Sequence, residues 1–323
     1  MKPQIRRLSS KEWERWCADS DDLPITCDPA WASAASEVGT WQPALPFHVS
    51  DSSGEALAVA YPQTSRFIRP VTLSPFGLGA AFHAKSAEPD SSQLLSAFIS
   101  SQSLHWRSIG FVLRPFPGRS EVDLPPPDTK RSETTHMLQL DGTFDDLFTG
   151  KFRGETRTAI RRADSAGVKV ERRSDKEAVD AYYRVHSDLA QTKGGYGYLY
   201  PKSLFVSLLE NCRRASLLVA TEGDRVIGGG IFLTDARQVL YWHGATDRNA
   251  AAMNPAYAVL ATAIKSAISL KSSWFNFGGS NGLESLVRFK ERWGARAAEQ
   301  TSYSYLNPAV RALKRVARRS IRV

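Results

Sequence analysis

One stretch, WFNFGGSNGLESLVRFKERWGA at residues 274–295, holds a charge where a core belongs. Read as a helix at about 100° per residue, the part after the glycines places Leu283, Leu286, Val287, Phe289 and Trp293 in one apolar sector. Lys290 falls in that same sector, while Glu284, Ser285, Arg288, Glu291 and Arg292 take the opposite face. A lysine ammonium leaves water only at a large free-energy cost, so it needs an anion, an internal ion pair or an opening to solvent. Its position beside Asn276, Gly278, Gly279 and Ser280 favours a site. That segment ends a strand whose residues read as buried on both faces, and ligands of open α/β sheets bind beyond such strand ends. Paired glycines there let backbone amides approach a ligand.

Two further stretches carry usable groups. In KFRGETRTAIRRA at 151–163, Arg157 and Arg161 follow Gly154 at helical spacings of three and four. Two guanidiniums flanking a missing side chain suit a phosphate or diphosphate, and a solvated basic face with Glu155 and Asp164 as partners is the competing reading. In YWHGATDRNAAAMNPAY at 241–257, His243 is available as a general base, because an unperturbed imidazole titrates near neutrality. A lone histidine at a strand end also serves as a structural group. Asn254 before Pro255 reads as a helix N-cap, and Tyr241, Asn254 and Tyr257 flank the loop where a donor would lie. The string RVIGGG at 225–230 fits a pyrophosphate-loop pattern, yet it runs on into IFLT and sits in a hairpin strand, where glycines relieve crowding. Neither GxGxxG, a Walker loop nor HExxH occurs.

The elements that must position these groups follow from periodicity and turn residues. FHVSDSSGEALAVAYPQT predicts a hairpin, SSQLLSAFISSQSLHW a helix and SIGFVLRPF a buried strand. LPPPD with the polar TKRSETT after it predicts a linker. Beyond it come a strand (ETTHMLQL), one helix over FDDLFTGKFRGETRTAIRRADSAG closed by Gly167, and the strand VKVERR. Ser174 and Glu177 predict a capping box opening the next helix. Three strands then span 216–246, followed by the NPAY helix, the strand WFNFG, the Lys290 helix and the strand QTSYSYL. The pattern is α/β (α+β), and the hairpins of the two halves echo each other, as a duplicated unit would. It divides as 1–140, 141–306 and a tail at 307–323.

With 323 residues the chain exceeds what one core usually serves, and 42% hydrophobic with 23% charged residues describes a globular protein. Cys17, Cys27 and Cys212 are odd in number and lack zinc spacing, which predicts a reducing, cytoplasmic setting and no metal. The charge-broken start MKPQIRRLSSKEWERW lacks the apolar core of a signal peptide, and no run approaches the roughly 18 apolar residues of a membrane span. A net charge of +9 predicts polyanionic partners. In RALKRVARRSIRV, six basic residues and a face of Val310, Leu313, Val316, Ala317 and Ile321 suit contact with anionic lipid at the inner face of a membrane, or a solvated tail.

TRTAIRRADSAGV, VATEGDRVIGGGIFL, YWHGATD with NPAY, and FNFGGS…GLESLVRFKERWGA occur in an order that resembles the tandem-domain branch of the GNAT superfamily. This branch includes the FemABX-like aminoacyltransferases of peptidoglycan cross-bridge synthesis and the BioF2-like acyltransferases. The resemblance covers residues 151–305. It implies two GNAT-like domains, each a mixed, mostly antiparallel sheet flanked by helices, and attack by a primary amine on an activated acyl group. It places Lys290 at the reaction centre and implies acyl-CoA, such as acetyl-CoA, or aminoacyl-tRNA as donor. The acceptor it implies is an anionic or lipid-linked cell-envelope precursor or an amino sugar. A non-catalytic module derived from the same fold, binding anionic lipid-linked or polysaccharide ligands, is the alternative.

Overall fold

The computed structural model describes residues 3–20, 23–52, 54–64, 70–85, 90–104, 108–113, 124–192, 200–235, 237–280 and 282–312. The apolar face expected at Leu313, Val316, Ala317 and Ile321 lies outside them. Contacts divide the chain into two compact units, Met1–Glu133 with Glu299–Val323, and Thr134–Ala298.

The first unit contains β1 (Gln4–Arg7), α1 (Ser10–Ala18), α2 (Pro29–Ser36), β2 (Leu45–Ser50), β3 (Glu55–Pro62), β4 (Pro70–Thr72), β5 (Phe82–Ala84), α3 (Asp90–Leu104) and β6 (Ser108–Leu113). Its strands run in the order β1-β2-β3-β4-β6, with β5 also on β3. Ser9 and Glu12 form a capping box that starts α1. Leu57 of β3, Trp31 of α2 and Leu94, Phe98 and Ile99 of α3 fill the core, as the hairpin and helix periodicities require.

The second unit carries the candidate chemistry. Strand β7 (Thr129–Gln139) enters it at Thr134. There follow α4 (Phe144–Gly150), α5 (Gly154–Ser165), β8 (Lys169–Arg173), α6 (Lys176–Thr192), α7 (Lys202–Asn211), β9 (Ala215–Glu222), β10 (Arg225–Asp235), β11 (Gln238–Thr246), α8 (Pro255–Ser269), β12 (Trp274–Gly279) and α9 (Glu284–Arg292), and β13 (Arg296–Tyr305) leaves it. The sheet order is β7-β12-β11-β10-β9-β8, and only β11 and β12 are parallel.

The glycines of RVIGGG lie inside β10, as the hairpin reading expects. A Cβ on Gly229 would meet the Tyr182 ring of α6 at 2.9 Å, and one on Gly228 would meet Pro255 of α8 at 3.5 Å. Because neighbouring strand residues point to opposite faces, α6 and α8 cover opposite sides of the sheet. Gly228 and Gly229 let the two helices approach closely, and Gly230 makes room for the Phe232 and Tyr241 rings, each 3.1 Å from where its Cβ would stand.

Three expectations change. The polar TKRSETT is the first half of β7 rather than linker. The single helix over 144–167 is two, because Phe152 packs on Trp293 and the Arg153 amide donates to Arg292 O at 2.8 Å, a tertiary contact that breaks the helix at Lys151–Arg153. At α6, Asp175 and not Ser174 accepts the Ala178 amide, at 3.0 Å.

Helix α9 ends at Gly294, whose φ is +76° and whose added Cβ would stand 2.8 Å from Lys151 Cβ and 2.9 Å from Lys151 O. We expect Gly294→Ala to cost about 2 kcal/mol, from the left-handed backbone and the clash together. A thermal midpoint equal to that of the parent chain would refute this account of the helix stop.

Candidate active site

The parallel strands β11 and β12 pair only at Gln238–Trp274, Val239–Phe275 and Leu240–Asn276. Beyond that they part, although β11 continues to Thr246 and β12 to Gly279. Both strands are irregular where they part. The pairing of β11 with β10 shifts between Ile231 and Phe232, and that of β12 with β7 shifts between Asn276 and Gly279.

The cause in β12 is the buried Asn276 side chain. Its Oδ1 accepts from Thr135 Oγ1 and from the Gly278 amide, each at 2.8 Å, and its Nδ2 donates to Gln238 Oε1 at 3.0 Å. The side chain thereby takes the amide of a residue two positions on and curls the strand end, with Gly278 at φ +72°. A glycine is required there because left-handed backbone penalises a Cβ.

The curled end presents carbonyls, and Lys290 takes them. Its Nζ donates to Gly278 O at 2.8 Å and to Gly279 O at 2.6 Å. The side chain is 5% exposed, and burial holds its pKa down at about 8. No carboxylate is among these partners, so the ammonium is compensated by main-chain dipoles alone. The rest of the apolar sector behaves differently from expectation. Leu283 and Leu286 are 54% and 41% exposed, whereas Lys290 and Trp293 are the members that are buried. Periodicity identifies a helix face but not how far along it the rest of the fold reaches.

Two more buried polar atoms belong to this strand end and its neighbour. Ser280 Oγ and His136 Nδ1 have no hydrogen-bond partner, and the residues are 5% and 1% exposed. By register His136 lies on β7 opposite the irregular Phe277–Gly278 segment. Burial and, second, the charge of Lys290 lower the pKa of its imidazole. A buried polar group without a partner marks a place for water or ligand.

The other sequence candidates fall elsewhere. His243 faces α6, where its Nδ1 is 2.6 Å from Tyr182 Oη and its ring lies 4.3 Å from that of His186. Burial and then the nearby His186 pull its pKa down to about 3, so the imidazole is neutral and a weak base. Tyr241 stacks on Phe232 and Tyr257 on Trp293, which places both rings in core packing against the α8 side. Asn254 is left-handed at φ 54°, and its Nδ2 donates to Ala252 O instead of accepting a helix amide, so it is no side-chain N-cap. Arg157 donates to Phe152 O at 2.7 Å and Thr149 O at 3.3 Å, closing α4, while Arg161 lies over the Phe148 ring at 5.3 Å. Arg157 thus helps close α4 through one nitrogen, and Arg161 is exposed beside an aromatic ring. The Gly278 amide, expected to face a ligand, is committed to Asn276.

Thus Asn276, Gly278, Gly279, Ser280 and Lys290 converge, with the Tyr241 main chain beside Gly278, while the side chains of Arg157, Arg161, His243, Asn254, Tyr241 and Tyr257 make their contacts with other parts of the unit. The sequence reading missed His136, Thr135 and Gln238. In ETTHMLQL the histidine is one of several polar residues with no spacing signal, and only the pairing of β7 with β12 sets it opposite the segment whose carbonyls hold Lys290. A cavity of about 600 Å³ opens between α6 and the connection from β11 to α8, lined by Arg184, Val185, Arg225, Thr246 and Asp247 among others. Among the described residues its lining comes from α6, the β9–β10 turn and the segment after β11, and none of it from β7, β12 or α9, so it is separate from the strand end that holds Lys290. Among the described residues no group of His, Cys, Asp and Glu is placed to hold a metal ion. None of the described helices is long and apolar enough to cross a membrane.

Residues 150–306 match the family model described as an acetyltransferase (GNAT) domain. Among solved structures the chain is similar to FemX, with a TM-score of 0.67 and 14% identity over 96% of this chain and 99% of that one. It is similar to the C-terminal domain of an Agrobacterium fabrum protein provisionally assigned as a lysylphosphatidylglycerol synthetase, with a TM-score of 0.59 and 12% identity over 95% and 96% of the two chains. A tandem GNAT protein from the clavulanic acid biosynthesis pathway follows at a TM-score of 0.50 and 9% identity over 94% and 98%. At these identities the likeness is one of fold. No curated protein matches the sequence.

Proposed function

We propose that this chain, which carries a GNAT acetyltransferase domain over residues 150–306 within a tandem GNAT-like fold, is an N-acyltransferase that moves an acyl or aminoacyl group onto a primary amine of a cell-envelope precursor or amino sugar. The observation that carries the reading is Lys290, a buried cation fixed on the Gly278 and Gly279 carbonyls where β11 and β12 part. An activated acyl donor, acyl-CoA or aminoacyl-tRNA, enters that gap with its carbonyl near the strand end. Positioning the amine against it supplies much of the rate. The Lys290 ammonium, already held in place, stabilises the oxygen as it gains negative charge. The FemX-like fold supports the aminoacyl donor and the tandem GNAT likeness the acyl-CoA donor.

The decisive experiment incubates the full chain with acetyl-CoA, longer acyl-CoAs or charged tRNA against glucosamine and peptidoglycan precursors, and reads products by mass spectrometry. Growth of an acceptor by an acyl or residue mass is expected. If folded protein transfers nothing in any combination, the reading fails.

The depressed Lys290 pKa gives a pH signature. If the cation is the active form, turnover falls as pH rises through about 8. Stability moves the other way over that range. The unfolded chain holds the lysine proton up to its ordinary value near 10.4, so it binds more protons than the native state between the two pKa values. The native state therefore gains as pH climbs above 8. A kcat flat to pH 10 would show that the charge is not used.

A further inference from the structure

The acyl-transfer reading leaves the amine proton without a destination. As an amine nitrogen attacks a carbonyl carbon it becomes cationic, and the adduct collapses to amide only once a proton has left. His243 is poorly suited, because its Nδ1 is engaged by Tyr182 and its pKa is pulled down to about 3. At the strand end that holds Lys290, by contrast, two polar atoms are buried and unpaired, His136 Nδ1 and Ser280 Oγ. His136 lies on β7 opposite the irregular Phe277–Gly278 segment of β12, and Ser280 directly follows the end of that strand. A buried polar atom without a partner marks a place that water or ligand completes, and two of them stand by the strand end whose carbonyls bind one buried cation.

We propose that His136 is a catalytic residue of this site, its Nδ1 taking the proton from the acceptor amine as the new C–N bond forms. The inference rests on the acyl-transfer reading above. In the step, the nitrogen lone pair makes the C–N bond and the carbonyl electron pair moves to oxygen, next to Lys290. The proton passes from nitrogen to Nδ1. The oxygen pair then returns, the C–S bond of a thioester or the C–O bond of an ester breaks, and the proton goes to the departing sulfur or oxygen. The imidazole ends neutral, as it began, and nothing else is consumed. Two charged groups act on His136, Lys290 and Glu291, both on α9 and opposite in sign. The neighbouring cation and burial keep the imidazole unprotonated at neutral pH, ready to accept. The negative charge that develops on the substrate oxygen offsets Lys290 at the moment the imidazole gains its proton. Ser280 Oγ, buried without a partner just after the same strand end, is the second polar atom offered to the acceptor.

The test uses the donor and acceptor pair that the mass-spectrometric screen finds most active. His136→Gln keeps a polar side chain of similar size, and His136→Ala opens space for added imidazole. We expect kcat to fall by about 10²–10⁴-fold in both, with KM for the donor within a few-fold of the parent; the thermal midpoint should change little in His136→Gln and fall in His136→Ala, where a buried ring is removed. The acidic limb of the parent kcat–pH profile should vanish in His136→Gln, and free imidazole should restore part of the activity of His136→Ala. His136→Gln turning over within threefold of the parent, with an unaltered pH profile, would overturn the inference and leave the function standing. So would loss of activity that tracks loss of folded protein and is not recovered by imidazole. A parent chain that transfers no acyl group to any acceptor overturns the functional reading itself, and this inference with it.

Discussion

Lys290→Met should lower turnover by about 10²–10³-fold while the chain stays folded. The estimate is the loss seen when one preorganised donor to a developing oxyanion is removed, about 3–4 kcal/mol of transition-state stabilisation. Methionine fills similar space, and removing the buried ammonium also removes its desolvation cost. Against that, the Gly278 and Gly279 carbonyls lose their donor; Gly279 is exposed and water replaces the donor there, so the half-buried Gly278 carbonyl bears the cost, about 1 kcal/mol. The two effects on stability oppose each other, so the thermal midpoint moves little while kcat collapses. Steady-state kinetics beside calorimetry separates them. A non-catalytic module built on the same fold gives a different result, with ligand affinity retained by the variant and no turnover in the parent to lose. Full activity in Lys290→Met would remove the reaction centre from this strand end.

Asn276→Leu should damage the fold and the site together. Leucine has nearly the same volume but satisfies none of the three partners, leaving the Gly278 amide, Thr135 Oγ1 and Gln238 Oε1 unpaired in a buried position. At about 1–3 kcal/mol for each group that stays unpaired, and allowing Thr135 to reorient, the cost is about 3 kcal/mol or more. Without the bond from Gly278 N, nothing on the strand itself curls its end, and the carbonyls that hold Lys290 are free to turn away. Denaturant unfolding reports the first effect and kcat the second. A stability loss below about 1 kcal/mol, or unchanged kcat in the folded variant, would mean that the irregularity in β12 is held by something other than Asn276.

The strand and helix order of the second unit was legible because each element carries its own local signal. β9, β10 and β11 show strand composition broken by the turns EGDR and TDAR, and α8 opens on Asn-Pro. Lys290 was legible for a related reason, since a charge on an apolar stripe is a local contradiction. Where the reading failed, a distant residue had intervened. The helix over 144–167 is divided because Phe152 and Arg153 bind α9, more than a hundred residues away. Arg157 and Arg161 have phosphate-binding spacing, and the tertiary structure adds contacts that spacing does not show, to Phe152 O, Thr149 O and the Phe148 ring. His243 passed as a base until Tyr182 and His186 closed on it from α6.

By itself the sequence determined the α/β class, the order of elements around the site and the one lysine that had to find a partner, because hydrophobic periodicity and the cost of burying charge act within a single segment. Only the tertiary structure decided that the partner would be two carbonyls and not a carboxylate, that Leu283 and Leu286 would remain in water, and that His136 would stand beside Lys290. Those outcomes depend on strand register and on hydrogen bonds between residues up to 141 positions apart, such as Thr135 and Asn276. No local pattern encodes such pairings, because the free energy that selects them comes from burial and hydrogen bonding that exist only once the strands are side by side.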